Sequence, residues 1–137
     1  MASLFSRIIA GELPGEFIFR DALWASFLDI RPTTFGHALL VPRQEAPYLA
    51  NLAHDVLAEL GGYAARLSLA VKRATGAPAV NLVVNDGPEA GQVVPHVHLH
   101  VIPRTAGDNR PPFSAHLAYA EGGLAAMGAK LRQAWGA

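Results

Sequence analysis

The chain of 137 residues contains no cysteine. That absence removes a disulfide framework, a thiolate zinc centre and a cysteine nucleophile together. Charge is scarce as well: 16% of residues are Asp, Glu, Lys or Arg, and 11 basic side chains balance 11 acidic ones. A nucleic-acid surface held by bulk positive charge is therefore excluded, and an anionic ligand has to be gripped by a local site. No apolar run approaches the ~20 residues of a membrane span. Arg7 and Glu12 break the apolar patch of the first twelve residues, which rules out a signal-peptide core. The expectation is a soluble, cytoplasmic protein with neither membrane nor nucleic acid among its partners. With 51% hydrophobic residues the chain suffices for a packed core, and at this length it reads as one domain over 1–137.

Periodicity supplies the elements. Leu4, Phe5, Ile8 and Ile9 recur at helical spacing after Ser3, an N-cap residue type, and Gly11 and Pro14 close this short helix. Strands are expected at Phe17–Phe19, Trp24–Ile30, His37–Val41, Ala79–Val84 and His96–Ile102. An apolar stripe through Val56, Leu60, Leu67 and Val71 predicts one long helix over Ala53–Ala74, with Gly76 as its C-cap. Gly61-Gly62 conflicts with that helix at roughly 1 kcal/mol per glycine, explained by a close backbone contact or by a kink. A looser helix is expected over Ala115–Gln133. Strands and helices do not alternate strictly, so the fold class is α+β with an antiparallel sheet.

The densest chemistry lies in Val94-Pro95-His96-Val97-His98-Leu99-His100-Val101-Ile102. Three of the six histidines stand at alternate positions, so a strand sends the three imidazoles to one face and Val97, Leu99 and Val101 to the other. Strand rise of about 3.3 Å per residue puts His96 and His98 roughly 7 Å apart at Cα, and His96 and His100 roughly 13 Å apart. Adjacent members could share a metal ion, whereas three on one straight strand hardly converge on bonds of about 2.0–2.1 Å. Such a row better suits a polyanion, with one ring as nucleophile and its neighbours on phosphate oxygens. Just before it, Asn85-Asp86-Gly87-Pro88-Glu89-Ala90-Gly91-Gln92 is a glycine-containing turn able to aim backbone N–H groups and the Gln92 side chain at a phosphate.

The row resembles the signature of the histidine triad (HIT) superfamily, His-φ-His-φ-His-φ-φ with φ apolar. Phe5–Pro14, Phe27–Pro32, Gly36–Arg43 and Asn85–Gln92 are similar to further family segments at the expected spacing. The resemblance covers residues 4–104; the C-terminal tail, 105–137, carries little of it. It implies a five-stranded antiparallel sheet with one long helix and a short N-terminal helix, usually in a homodimer. It also implies hydrolysis of purine nucleotide derivatives at the α-phosphorus through a nucleotidyl-histidine, releasing a nucleoside monophosphate. By position, His98 is then the nucleophile, His96 and His100 hold phosphate oxygens, and His37 is the fourth active-site histidine. Asp29 corresponds to the ribose-binding carboxylate, and Phe5, Ile8, Phe27 and Ile30 to the walls of the base pocket. Asn85, Gly91 and Gln92 belong to the phosphate loop.

Departures from the family pattern carry information. Where many bacterial members place Cys-x-x-Cys and a further His around a structural zinc, this chain has Ser3, Ser6 and Glu45, so no zinc or other cofactor is expected. Magnesium enters only as a counter-ion of the substrate. Val93 stands where the phosphoramidase-type (Hint) branch often has a serine that assists the leaving group. The Asp86–Gln92 loop resembles the dinucleoside polyphosphate (Fhit) branch more closely, and the N-terminal segment the Hint branch. A nucleotide-binding regulatory module with slow incidental turnover is the alternative from another functional class.

Overall fold

The computed structural model describes residues 1–111 and 116–136. Helix α1 spans Leu4–Ile9, and the Ser3 hydroxyl caps it by accepting the Ser6 N–H. Strands β1 (Phe17–Arg20), β2 (Trp24–Leu28), β3 (Ala38–Pro42), β4 (Ala79–Val84) and β5 (Leu99–Arg104) form one sheet in the order β1-β2-β3-β5-β4. Every neighbouring pair is antiparallel, as expected. The turn between β1 and β2 closes on Asp21, whose carboxylate accepts the N–H groups of Leu23 and Trp24.

Three expected boundaries are corrected. Strand β2 stops at Leu28 rather than Ile30, because the Asp29 carboxylate accepts the Arg31 N–H and turns the chain. The last strand begins at Leu99 rather than His96, so only His100 of the row lies in the ladder. Upstream, the Val97 N–H goes to the Ala46 carbonyl and the Pro42 carbonyl takes a ring nitrogen of His96, which diverts both groups from strand pairing. The helix expected over Ala53–Ala74 is two: α2 (His54–Ala58) and α3 (Leu60–Thr75), parted at Glu59. The kink precedes the Gly61-Gly62 pair, and a Cβ at either glycine would meet nothing within 4 Å. Gly76 ends α3 at φ 75°, the left-handed C-cap that glycine favours.

The helix expected over Ala115–Gln133 is α4, Gly123–Gly136; Ala115 lies outside the described residues, and 116–122 are not helical. With it the fold has a second long helix, which packs on α3 and β1. Trp135 docks it, stacking on Phe19 at 4.2 Å between ring centroids beneath the Arg66 guanidinium. Trp24, Leu40, Leu67, Val71, Val101 and Leu131 are fully buried between the sheet and these helices. No described helix is long and apolar enough to cross a membrane.

Since neither glycine of the pair has a left-handed backbone or a Cβ clash, Gly62→Ala should stabilise the fold. The expected gain is about 0.4–1 kcal/mol from the reduced entropy of the unfolded chain. Urea unfolding checks it, at a chain concentration low enough to keep the protein monomeric.

Candidate active site

Strand register assembles the site on the sheet face opposite α3. Phe17 pairs with Phe27, Phe27 with Leu39, Leu39 with His100, and His100 with Val83, a single row across all five strands. The alternate residues Leu99 and Val101 point into the main core with Val97. His96 and His98 continue the alternation outside the ladder, and the rings of His98 and His100 lie 4.9 Å apart. Helix α1 covers this end of the row: Phe5 meets His98 edge-on at 4.8 Å and His96 at 5.9 Å.

Hydrogen bonding assigns a tautomer to each of the four clustered imidazoles. His98 Nδ1–H donates to the His96 carbonyl at 2.7 Å, which leaves the lone pair on His98 Nε2. His37 Nδ1 accepts the Thr33 N–H at 3.0 Å, so His37 carries its proton on Nε2 and donates it to His100 Nδ1 at 2.9 Å. The remaining proton of His100 is then on its Nε2. His96 differs from the role implied for it. Its Nε2–H donates to the Pro42 carbonyl at 2.8 Å and its Nδ1 accepts the Ser3 hydroxyl at 2.6 Å. Both ring nitrogens are thus engaged within the protein, and the carbonyl of His96, not its ring, reaches the neighbouring histidine.

Burial keeps these rings neutral. It pushes His37 down to about 4, with the charges of His116 and His98 adding to the effect. It pushes His100 down to about 3, reinforced by His98 and His37. His98 and His96 are lowered chiefly by burial too, offset in part by the carbonyls of His96 and Pro42 respectively. Asp29 lies 3.7 Å from His37 Nε2, and burial raises its carboxyl, partly countered by the Arg31 N–H.

The other expected residues divide into two groups. Phe5 and Phe27 are buried in a second apolar cluster with Leu39 and Val41, against which Ile8 packs. Ile30 stands 67% exposed beside Asp29, and Val93 is 90% exposed at the end of the loop. Gln92 braces that loop: its Oε1 accepts the Gly87 N–H and its Nε2 donates to the Pro47 carbonyl. Gly91 adopts φ 99°, which a side chain would strain, and packs on the Asn85 amide. Thr33 and Pro42 act through backbone groups, which no side-chain pattern signals. Nor does any pattern signal His116, whose Nδ1–H donates to the Arg31 carbonyl next to Asp29.

Two side-chain groups bear on metal binding. Ligand atoms of Asp29, His37 and His100 lie within 4.8 Å of one another. A cation there would need the lone pair of His37 Nε2, but the Thr33 N–H on Nδ1 forces the proton onto that nitrogen, so the donor set fits poorly. At the other corner, Glu45 Oε1 accepts the Ser3 N–H and the Ser6 hydroxyl, both at 2.7 Å, and neutral hydroxyls replace thiolates.

A neutral histidine row on a five-stranded antiparallel sheet, with one ring presenting a fixed lone pair, is an arrangement chemically able to supply an imidazole nucleophile. Residues 10–107 match the model of the HIT domain, and the chain belongs to the HIT family. It is 36% identical over 104 residues to adenosine 5'-monophosphoramidase hnt1 of Schizosaccharomyces pombe, covering 76% of this chain and 75% of that one. It is 34% identical over 104 residues to the bis(5'-nucleosyl)-tetraphosphatase (asymmetrical) of the same organism, covering 76% of this chain and 56% of that longer protein. Among solved structures, the hypothetical histidine triad nucleotide-binding protein of Sulfolobus tokodaii superposes with a TM-score of 0.87 at 31% identity, covering 96% of this chain and 91% of that one.

Two outcomes are expected. Because His37 and His100 titrate below the ordinary value of 6.5, the unfolded chain binds more protons once the pH falls below it. Stability should therefore drop from about pH 6.5 toward about pH 4, each ring contributing a slope of about 1.4 kcal/mol per pH unit. Asp29, shifted upward, opposes this at the acid end. His37→Gln should flatten the slope of unfolding free energy against pH; an unchanged slope would contradict the assignment. In addition, elemental analysis of the purified chain should find no stoichiometric zinc.

Proposed function

We propose that this protein hydrolyses purine nucleotide derivatives at the α-phosphorus through a nucleotidyl-His98 intermediate. The observation that carries the reading is the 2.7 Å bond from His98 Nδ1–H to the His96 carbonyl. It holds the lone pair on Nε2, and it stabilises the positive charge that the ring acquires when Nε2 bonds to phosphorus. As the Nε2–phosphorus bond forms, the bond from phosphorus to the leaving group breaks, and the leaving group departs with the electron pair. Water then attacks phosphorus as the Nε2–phosphorus bond breaks and its electron pair returns to Nε2. The attacking water gives up a proton to solvent, neutral His98 is regenerated and the nucleoside monophosphate is released. His100, held by His37, presents its Nε2–H as a donor to phosphate oxygens, where negative charge develops in the transition state. Asp29 is assigned to the ribose hydroxyls. Phe5, Ile8, Phe27 and Ile30 wall the base, and Asn85, Gly91 and Gln92 shape the phosphate loop. His96 serves as a positioning residue.

The leaving group is an amine or a nucleotide polyphosphate, the two chemistries carried by the names of the fission-yeast relatives. A homodimer belongs to the same proposal. The exposed, unobstructed glycine pair of α3 offers a place where a second backbone approaches closely.

His98→Ala should abolish turnover of adenosine phosphoramidates and diadenosine polyphosphates alike while retaining much of the nucleotide affinity. Rapid alkaline denaturing quench of the parent enzyme, which preserves a phosphorus–nitrogen bond, followed by mass spectrometry should trap one nucleotidyl group per chain, absent from His98→Ala. Near-normal turnover by that variant would rule out the covalent mechanism. Retained binding with turnover too slow to sustain hydrolysis in the parent would favour the regulatory module.

A further inference from the structure

We propose that Ser3, Ser6 and Glu45 are positioning residues for the nucleophile, acting on His98 through the ring and the carbonyl of His96. The proposal rests on the reading of His98 as the nucleophile. Its geometry is a continuous hydrogen-bonded chain. The Glu45 carboxylate accepts the Ser3 N–H and the Ser6 hydroxyl and so pins the start of α1 beside the end of β3. The Ser3 oxygen does two things at once: it accepts the Ser6 N–H at 3.0 Å as the helix cap and donates its proton to His96 Nδ1 at 2.6 Å. That donation leaves His96 its Nε2–H, which ties the ring to the Pro42 carbonyl. With the ring held at both nitrogens the peptide that follows it is fixed, and its carbonyl meets His98 Nδ1–H.

The chemistry of Ser3 cannot be replaced from within the ring. Without its hydroxyl, His96 Nδ1 is a buried acceptor with no strong donor, since the Ser6 hydroxyl lies 3.5 Å away and already serves Glu45. The ring relieves this by turning or by moving its proton, and either change releases Pro42. Once the His96 carbonyl shifts, the His98 proton is no longer confined to Nδ1, and any fraction on Nε2 removes the attacking lone pair. Glu45 is solvent-exposed and bonds to Ser3 and Ser6, so its effect on His98 is transmitted through them and not direct. Phe5 sits in that same turn with its edge on both rings, so the cluster also sets the wall against which His98 rests.

Nitrogen-15 spectra of the histidine rings, recorded on the full chain without substrate, test this together with steady-state rates. In the parent, His98 should be the Nδ1–H tautomer and His96 the Nε2–H tautomer. Ser3→Ala and Glu45→Ala should each populate the other tautomer of His98 and lower kcat by roughly 10- to 100-fold, the scale of a small misplacement of a reacting group. Ser3→Thr, which keeps the hydroxyl, and Glu45→Gln, which keeps an acceptor oxygen, should restore both the spectrum and most of the rate. An unchanged His98 tautomer in Ser3→Ala and in Glu45→Ala would overturn the proposal. So would a loss of rate that the conservative variants fail to rescue. The spectra need no turnover, so they judge the positioning cluster even if His98→Ala were to stay active and remove the nucleophile reading itself.

Discussion

Four imidazoles buried on one sheet face lose their water, and a buried ring nitrogen left without a partner costs about 1–3 kcal/mol. Most of the local architecture follows from meeting that cost. Thr33 contributes a backbone N–H to His37, His37 a proton to His100, and the His96 carbonyl an acceptor to His98. Pro42 and Ser3 close the two ends of His96. The same contacts that satisfy burial also decide which nitrogen of each ring bears the proton. Stability and the placement of the ring protons therefore share one set of hydrogen bonds.

Neutrality is the second consequence of burial. A charged row would repel itself and would offer no lone pair for attack. With His37 and His100 held well below the usual imidazole range, the row stays uncharged around neutrality, and in the proposed mechanism charge appears only when phosphorus bonds to Nε2. The His96 carbonyl is already aimed at His98 Nδ1, so the proposed reaction would need no large reorganisation there.

The sheet makes this arrangement rigid because β5 is buried on both faces. Val101 and Leu99 lock it to the core beneath α3, while His100 lies in register with Leu39 and Phe27 on the other face. Helix α4 adds a brace from the opposite edge, with Trp135 stacked on Phe19 and Arg66 donating to the Trp135 carbonyl. Ile30 and Val93 are exposed in separate loops, parts of the chain that tolerate change without disturbing the tautomers.

What the sequence determined by itself was local. Alternation in His96–Ile102, the Ser3 cap of α1, the run Ala79–Val84 and the Gly76 stop are readable because period and cap chemistry act between residues a few positions apart. The site was legible to the same extent: the row, Asp29 and His37 are named by spacing and by family resemblance. Tertiary structure decided the rest. The ladder starts at Leu99 because Ala46 and Pro42 capture the groups that would have extended it. The long helix breaks at Glu59, and α4 begins at Gly123, under packing that no local pattern encodes. The tautomers of the row depend on the Ser3 hydroxyl, the Thr33 amide and the Pro42 carbonyl. These groups are brought to the row only by folding, and two of them are backbone atoms that every residue type but proline shares in full, so no choice of side chain could announce them.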